Sequence, residues 1–404
     1  MELIWIDGGG VTSPRGFLAA GVYTGIKTYG PEPRMDVGLL TSSERCAAAG
    51  VFTKNRICGA PVELCRERIV KGYARAIVVN SGCSNVAMGE RGRRDARQMA
   101  ALAGLRLGIG EEEVLVASTG VIGRPLPLDA IERGIGSLSP TVEGGVDFSR
   151  SIITTDTVVK HRAAKVTVDG RTYTVGGTAK GSGMVHPDMA TVLCFMTTDA
   201  PADPGWLQAT LREVADVSLN MVDVDMDTST SDTMLLLANG CAGGSPLSPG
   251  HPAERAVRGA IEAVAVELAR DLARDGEGAR TLIEARVRGA RTMEDARKAA
   301  RTIVSSPLVK SMVTGRDPNL GRVMMAVGRS GAEVNVDRTS IWIGAECAFA
   351  SGAPTAVAYD MIRKALDAPE VVIAVDLGLG THSAVAWGCD LTEEYVRINA
   401  SYTT

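Results

Sequence analysis

A threonine at the border of a glycine-rich loop is the residue in this sequence whose surroundings most suggest chemistry. Thr191 directly follows Ala190 in "AKGSGMVHPDMATVLCFMTTDA", which runs from a lysine and a glycine-rich loop, through a Pro-Asp turn, into an apolar run typical of a strand. Threonine is β-branched and often begins a strand, so the local pattern by itself favours a structural role for Thr191. The alternative is a nucleophile beside a small residue whose carbonyl it can attack.

The other residue types favour an N-terminal threonine over a catalytic serine as the nucleophile of an acyl-transfer reaction. The sequence has no G-x-S-x-G motif, and its four histidines suggest no partner for a serine. An N-terminal threonine carries its own base, because its α-amine has an ordinary pKa of about 7.7–8.0. An internal threonine reaches that state only if the bond before it is cut, and attack of the Thr191 hydroxyl on the Ala190 carbonyl needs no protease. The pattern is consistent with self-cleavage but not specific for it.

The composition is that of an ordinary globular protein. The 404 residues suffice for two or three cores, with 45% hydrophobic and 22% charged residues. A net charge of −4 provides no basic field, which argues against nucleic-acid binding. Eight scattered cysteines without a CxxC pair and four histidines without HExxH spacing predict neither a disulfide framework nor a metal site. The glycine clusters complete no dinucleotide-binding or phosphate-binding motif, so no cofactor is expected by those routes.

The sequence predicts no targeting or membrane segment. Its start, "MELIWIDGGG", lacks the charged region and the apolar run of about 7–15 residues that a signal peptide has. No stretch approaches the roughly 20 apolar residues that a membrane helix needs. We therefore expect a cytoplasmic protein that does not bind membranes.

Strand-like and helix-like segments alternate along the chain. "RAIVVNSGC" predicts a strand followed by a helix over about 91–107, and "HPAERAVRGAIEAVAVELARDLARDGEG" has apolar residues at helical spacing before terminal glycines. A further helix is predicted at "TMEDARKAARTIV", where Thr292 and Asp295 have capping-box spacing. "SIWIGAECAFA", "VVIAVDLGLG" and "SAVAWGCDLT" predict a late sheet. The predicted fold class is α/β or α+β, without repeats or a clear domain boundary.

The sequence resembles the ornithine acetyltransferase family, also called the glutamate N-acetyltransferases of arginine biosynthesis. The segment around Thr191 is similar to the family's self-cleavage segment. Ten further blocks follow the family in order over nearly the whole chain: "VFTKNR", "APVELC", "VVNSG", "ASTGVIG", "TTDT", "DTSTSDT", "SSPLVKSMVTGRDPN", "GRVMMAVGRSG", "AWGCDLT" and "YVRINASYTT". Met226 departs from the pattern, since glycine is usual there. The resemblance implies layered sheets and helices like those of the self-processing ornithine acetyltransferase and aminopeptidase fold.

This resemblance implies a role for each matching site residue. Cleavage between Ala190 and Thr191 would give an α chain of residues 1–190 and a β chain of residues 191–404, which pair into an α2β2 assembly. Thr191 would be the nucleophile, and Thr119 with Gly120 would form the oxyanion hole. The substrate-binding residues implied by the family are Thr154, Lys180, Thr191, Glu277, Asn399 and Thr404.

The reaction implied by the resemblance is a ping-pong acetyl transfer. Thr191 takes the acetyl group from N-acetylornithine, ornithine leaves, and the α-amine of glutamate attacks the acetyl-enzyme to give N-acetylglutamate. No cofactor or metal is required. Three alternatives stay open: an enzyme that also uses acetyl-CoA as donor, a self-processing aminopeptidase, and a processed but inactive binding protein.

Overall fold

The computed structural model describes residues 2–27, 34–186 and 192–401. Ala190, Thr191 and Thr404, which the sequence analysis assigns to the cleavage and substrate sites, lie outside these ranges. Within the described ranges the chain forms two mixed β-sheets and eleven α-helices. The predicted α/β class is therefore confirmed.

The elements are numbered in chain order. The strands are β1 (Leu3–Trp5), β2 (Phe17–Val22), β3 (Val37–Phe52), β4 (Tyr73–Cys83), β5 (Val114–Val121), β6 (Lys160–Val168), β7 (Arg171–Lys180), β8 (Leu193–Thr198), β9 (Val222–Asp223), β10 (Thr233–Ala238), β11 (Leu282–Ala290), β12 (Ser340–Ile343), β13 (Glu346–Ala350), β14 (Ala353–Pro354), β15 (Glu370–Asp376) and β16 (His382–Cys389). The helices are α1 (Ala60–Ile69), α2 (Gly89–Leu107), α3 (Leu128–Ser137), α4 (Gly145–Ile152), α5 (Pro204–Val217), α6 (Glu254–Arg274), α7 (Met293–Ser305), α8 (Pro307–Gly315), α9 (Leu320–Gly328), α10 (Tyr359–Leu366) and α11 (Glu393–Ser401).

The larger sheet spans both sides of the predicted cleavage site. Its order is β1-β6-β7-β8-β10-β3-β4-β5, with β2 paired to β3. Strand β8 pairs with β7 in antiparallel and with β10 in parallel. Since β7 ends before position 190 and β8 begins after position 191, the predicted α and β chains contribute neighbouring strands to one sheet. The boundary at 190/191 thus falls inside a folding unit.

The central strands of this sheet are buried on both faces. In β8, Leu193 and Phe195 pack into one apolar cluster, whereas Cys194 and Met196 pack into the other. Alternate side chains of a strand point to opposite faces, so an uninterrupted apolar run such as "VLCFM" fits a strand covered on both sides. Helix α6 packs on β6 and β7 from one side.

The smaller sheet comes entirely from the second half of the chain. Its order is β14-β13-β12-β15-β11-β16-β9. Helix α7 packs on β11 and β16, and α6 also contacts these strands, so α6 is common to both sheets. This arrangement places the residues that follow α6 beside the end of β7, where the site described below is found.

The sequence-based element predictions agree with the structure. The strand in "RAIVVNSGC" is β4, the helix expected over about 91–107 is α2, and the two later helices are α6 and α7. The side chain of Thr292 caps α7 by accepting a hydrogen bond of 3.1 Å from the Asp295 amide. The three C-terminal apolar segments form strands of the smaller sheet. Among the described helices, none combines the length and the apolarity needed to cross a membrane.

Met226 occupies a backbone conformation that suits glycine. Its φ is +68°, in the left-handed region, and its side chain is 45% exposed. The turn is fixed by its neighbour Asp225, whose carboxylate accepts hydrogen bonds from the amides of Met184 and Val185 at 2.6 and 2.9 Å. A side chain with a Cβ is disfavoured in this region by about 1–2 kcal/mol. The structure therefore gives the physical reason why glycine is usual at this position.

We expect Met226→Gly to stabilise the protein. Removing the Cβ relieves the left-handed strain, while glycine costs some unfolded-state entropy, so the net gain in free energy of unfolding is about 0.5–1 kcal/mol. Thermal unfolding should show a melting temperature higher by about 1–2 °C. Met226→Ala is the matched control, because it retains a Cβ, and it should bring no gain. A glycine variant no more stable than the alanine variant would contradict the prediction.

Candidate active site

The six predicted site residues that the structure describes line a single cavity at the end of the larger sheet. They come from five different parts of the chain and are Thr119, Gly120, Thr154, Lys180, Glu277 and Asn399. The cavity lies where β5 and β7 end, and Lys180 is the register partner of Leu193 at the beginning of β8. The end of β7, before the predicted cleavage bond, and the beginning of β8, after it, therefore both lie beside the cavity.

The end of β5 supplies the predicted oxyanion pair. Thr119 and Gly120 lie in parallel register with Ser81 and Gly82 of β4. Gly120 has a φ of +121°, and a Cβ at this position would collide with the carbonyl carbon of Gly82. Glycine is therefore required here on grounds of both backbone conformation and space.

Lys180 connects the two threonines of the cavity. Its Nζ donates hydrogen bonds of 3.1 Å to Thr119 Oγ1 and of 3.3 Å to Thr154 Oγ1. A hydroxyl group has one proton and two lone pairs, so Thr119 can accept from Lys180 and still donate its own proton to a substrate oxygen. Burial lowers the pKa of Lys180, and the nearby carboxylates of Asp156 and Asp232 partly oppose this effect. The acidic neighbours of Lys180 thus help to keep its side chain protonated.

Glu277 faces the same cavity from the segment after α6. Its amide donates to the carbonyl of Ser182 at 2.7 Å, and its Oε2 accepts a hydrogen bond of 2.7 Å from Asn399 Nδ2. A Cβ on Gly183 would collide with the Glu277 carboxylate. The glycine-rich loop after β7 therefore leaves room for this carboxylate in the cavity.

The C-terminal segment from Thr392 onward, which includes α11, is held beside the site by three hydrogen bonds. Besides the bond between Asn399 and Glu277, Thr392 Oγ1 donates to the carbonyl of Gly278 at 2.7 Å, and Tyr395 Oη donates to Asp225 Oδ2 at 3.2 Å. Helix α11 therefore lies against the site, which is what a substrate contact from Asn399 requires.

Sequence reasoning missed two acidic residues beside the cavity. Asp156 lies in the block "TTDT" and Asp232 in the block "DTSTSDT", so the signal was present in the motifs but not separated from their other residues. Asp232 Oδ1 accepts a hydrogen bond of 2.9 Å from the amide of Val192. Burial raises the pKa of Asp232 well above its ordinary value, and this bond and the Lys180 charge only partly oppose the rise.

Comparison with known proteins identifies the family. Residues 18–404 match the ArgJ family. A relative from Symbiobacterium thermophilum, the arginine biosynthesis bifunctional protein ArgJ, is 50% identical over 404 residues, with 99% of this chain and 100% of the relative covered. The chain belongs to the ArgJ family. The resemblance found in the sequence motifs is thus confirmed.

Two further known proteins are similar to this chain, one over nearly its whole length and one over about half of it. The arginine biosynthesis bifunctional protein ArgJ of Bacillus subtilis is 41% identical over 397 residues, which cover 98% of this chain and 97% of the relative. A crystal structure of ornithine acetyltransferase from Mycobacterium tuberculosis, complexed with ornithine, is 33% identical; the match covers 48% of this chain and 100% of the solved chain, with a TM-score of 0.43. The similarity to full-length relatives extends over nearly the whole of this chain.

Proposed function

We propose that this member of the ArgJ family transfers an acetyl group from N-acetylornithine to glutamate, after self-cleavage between Ala190 and Thr191. The single observation that carries the proposal is the convergence of Thr119, Lys180 and Glu277 on one cavity beside the start of β8. These residues are separated by 61 and 97 positions in the sequence, and the family resemblance had implied a role for each of them.

The charges in the cavity match a substrate with the termini of an amino acid. Lys180 provides an ammonium on one side, and Glu277 provides a carboxylate that Asn399 orients. An amino acid with a second amine, such as ornithine, can place its carboxylate against Lys180 and an ammonium against Glu277. Charge-assisted hydrogen bonds of this kind are roughly twice as strong as neutral ones, so they favour such a substrate over an uncharged amide.

The proposed reaction proceeds through an acetyl-enzyme. The Thr191 hydroxyl attacks the acetyl carbonyl, and the α-amine of Thr191 takes the hydroxyl proton. Thr119 Oγ1 and the Gly120 amide donate to the oxyanion of the tetrahedral intermediate. The intermediate collapses as the C–N bond breaks, and the leaving amine of ornithine takes the proton. The neutral α-amine of glutamate then attacks the acetyl ester and gives a proton to the α-amine of Thr191. The ester C–O bond breaks, and the α-amine of Thr191 returns that proton to the Thr191 oxygen.

Acetyl-CoA is a second acetyl donor in our proposal. The relatives from Symbiobacterium thermophilum and Bacillus subtilis are both named bifunctional, which favours a second activity in this chain. The test is release of free thiol from acetyl-CoA in the presence of glutamate, and no release would leave only the transfer from N-acetylornithine. We also propose that the processed chains form an α2β2 assembly in the cytoplasm and need no cofactor or metal.

The intact mass of the purified protein under denaturing conditions tests the main proposal. We expect two fragments, the second beginning at Thr191, and a gain of one acetyl group on that fragment after brief incubation with N-acetylornithine. The loss of this group on addition of glutamate would identify the acceptor. A single 42.3 kDa chain that neither cleaves nor takes up acetyl would contradict the proposal.

A further inference from the structure

A buried carboxylate holds the two segments that meet in the cavity. Asp156 Oδ1 accepts a hydrogen bond of 2.8 Å from the Gly181 amide, and its Oδ2 accepts one of 3.0 Å from the Thr154 amide. Gly181 follows Lys180 directly, and Lys180 in turn bonds the Thr154 side chain. The Asp156 carboxylate therefore holds the main chain at Thr154 and directly after Lys180. These are the two residues whose side chains are hydrogen-bonded to each other.

Two further buried charges fix this carboxylate. Lys160 Nζ lies 2.6 Å from Asp156 Oδ1 and 2.5 Å from Asp275 Oδ2, and the Lys160 and Asp156 side chains are completely buried. Asp275 accepts hydrogen bonds from the amide and hydroxyl of Thr157 and stands two residues before Glu277. We call Asp156, Lys160 and Asp275 the buried triad. The buried triad joins three segments that carry site residues. These are the loop after α4 with Thr154, the end of β7 with Lys180, and the segment after α6 with Glu277.

The buried triad also contributes to the charge that Lys180 experiences. Lys180 faces carboxyl groups from three segments, at Asp156, Asp232 and Glu277, and faces the ammonium of Lys160 on β6. Lys27, which precedes β3, is a fifth titratable neighbour, and burial lowers its pKa to about 7. Asp156 makes the largest of the contributions that oppose the effect of burial on Lys180. Because a buried ammonium without a counter-charge loses its proton readily, Asp156 is the residue on which the charge of Lys180 depends most.

The Asp156 carboxylate is itself held in its charged form. Burial by itself would raise its pKa, but the charges of Lys160 and Lys180 and the bond from the Gly181 amide together lower it to about 2. Asp156 therefore carries its negative charge throughout the neutral and alkaline range in which Lys180 would titrate.

We propose that Asp156 is a positioning residue that keeps Lys180 charged and directed at the carboxylate of the substrate, while Lys160 and Asp275 hold Asp156 in place. The inference rests on the proposed function only through the identity of the ligand, because it concerns binding of ornithine and not acetyl transfer. The role of Asp156 is to maintain a charge and a geometry; it does not touch the reacting atoms.

Calorimetric titration with ornithine from neutral to alkaline pH tests this role in Asp156→Asn. Removing a negative charge beside an ammonium makes the ammonium lose its proton at lower pH. We therefore expect the alkaline loss of ornithine affinity to move to lower pH by about one unit. We also expect the affinity at neutral pH to fall about tenfold, because the anchored geometry is weakened.

Asp275→Asn is the matched control. It removes a carboxylate from the same buried triad, but Asp275 makes no hydrogen bond to Gly181 or Thr154 among those described. We expect it to lower the melting temperature. The pH above which ornithine affinity is lost, here called the alkaline limit, should stay unchanged. An equal shift in both variants, or none in Asp156→Asn, would overturn the assignment, because a merely structural role predicts a loss of stability without a selective shift.

A second variant, Asp156→Glu, keeps the proposal falsifiable if Asp156→Asn does not fold. It retains the negative charge but lengthens the side chain, which disturbs the hydrogen bonds from the Thr154 and Gly181 amides. Because the counter-charge of Lys180 is retained, we expect a loss of ornithine affinity at neutral pH without the shift of the alkaline limit to lower pH. A shift as large as that expected for Asp156→Asn, or an unchanged affinity at neutral pH, would overturn the inference.

The two proposals fail in distinguishable ways. Wild-type protein that binds ornithine but never takes up acetyl on Thr191 would defeat the proposed transfer and leave the assignment of Asp156 standing. Wild-type protein that forms the acetyl-enzyme and shows the same alkaline limit as Asp156→Asn would defeat the assignment alone. Absence of ornithine binding by the wild type would defeat both.

Discussion

Thr191→Ala is expected to give an uncut chain of 42.3 kDa without acetyl-transfer activity. Alanine lacks the hydroxyl that attacks the Ala190 carbonyl, so no N-terminal amine is released at this position. The same substitution removes the nucleophile that would carry the acetyl group. Because both steps need one oxygen atom, the loss should be complete rather than partial, and denaturing mass spectrometry together with an assay of ornithine release measures both.

Thr191→Ser is the matched control for this prediction. Serine retains a hydroxyl and, after cleavage, an α-amine, so the variant should still cleave and take up acetyl, at a lower rate. Thermal unfolding of the alanine variant should show a folded protein, since the described strands that flank the bond pair independently of residue 191. Acetyl transfer by Thr191→Ala at a measurable fraction of the wild-type rate would remove Thr191 from the mechanism.

Thr119→Val is expected to lower kcat by about 10²–10³, equivalent to about 2.7–4 kcal/mol of transition-state stabilisation. Valine has nearly the shape of threonine, so it fills the buried position without the hydroxyl that would donate to the oxyanion. The substitution also removes one acceptor of Lys180, which keeps its bond to Thr154. The measurement is the rate of acetyl transfer, corrected for the cleaved fraction found by intact mass.

The control for this second prediction is Thr119→Ser. It retains the hydroxyl and loses only a methyl group, and its kcat should stay within about tenfold of the wild type. The comparison separates the hydrogen bond from packing, because both variants change the same side chain. A valine variant with the kcat of the serine variant would show that the Thr119 hydroxyl does not stabilise the transition state.

Much of the secondary structure could be predicted from local sequence patterns. Helix α6 follows from apolar residues that recur at helical spacing, and the beginning of α7 follows from the spacing of Thr292 and Asp295. These signals are local, since each depends on residues within a few turns of the same segment. The order of strands in the two sheets was not predictable, because a strand carries no record of which distant strand it pairs with.

The sequence alone determined the candidate chemistry of this protein, and the tertiary structure decided how the candidates are arranged. A threonine after an alanine and ten ordered motifs were sufficient to identify the family and to name the residues for which a role was expected. Only the fold brings Glu277 to Asn399 across 122 positions and Asp275 to Lys160 across 115. The physical reason is that the motifs record residue types at short spacing, whereas these contacts form only when strands and helices from separate segments pack together. The sequence could therefore name Lys180, but only the packed structure reveals the buried carboxylate of Asp156 on which its charge depends.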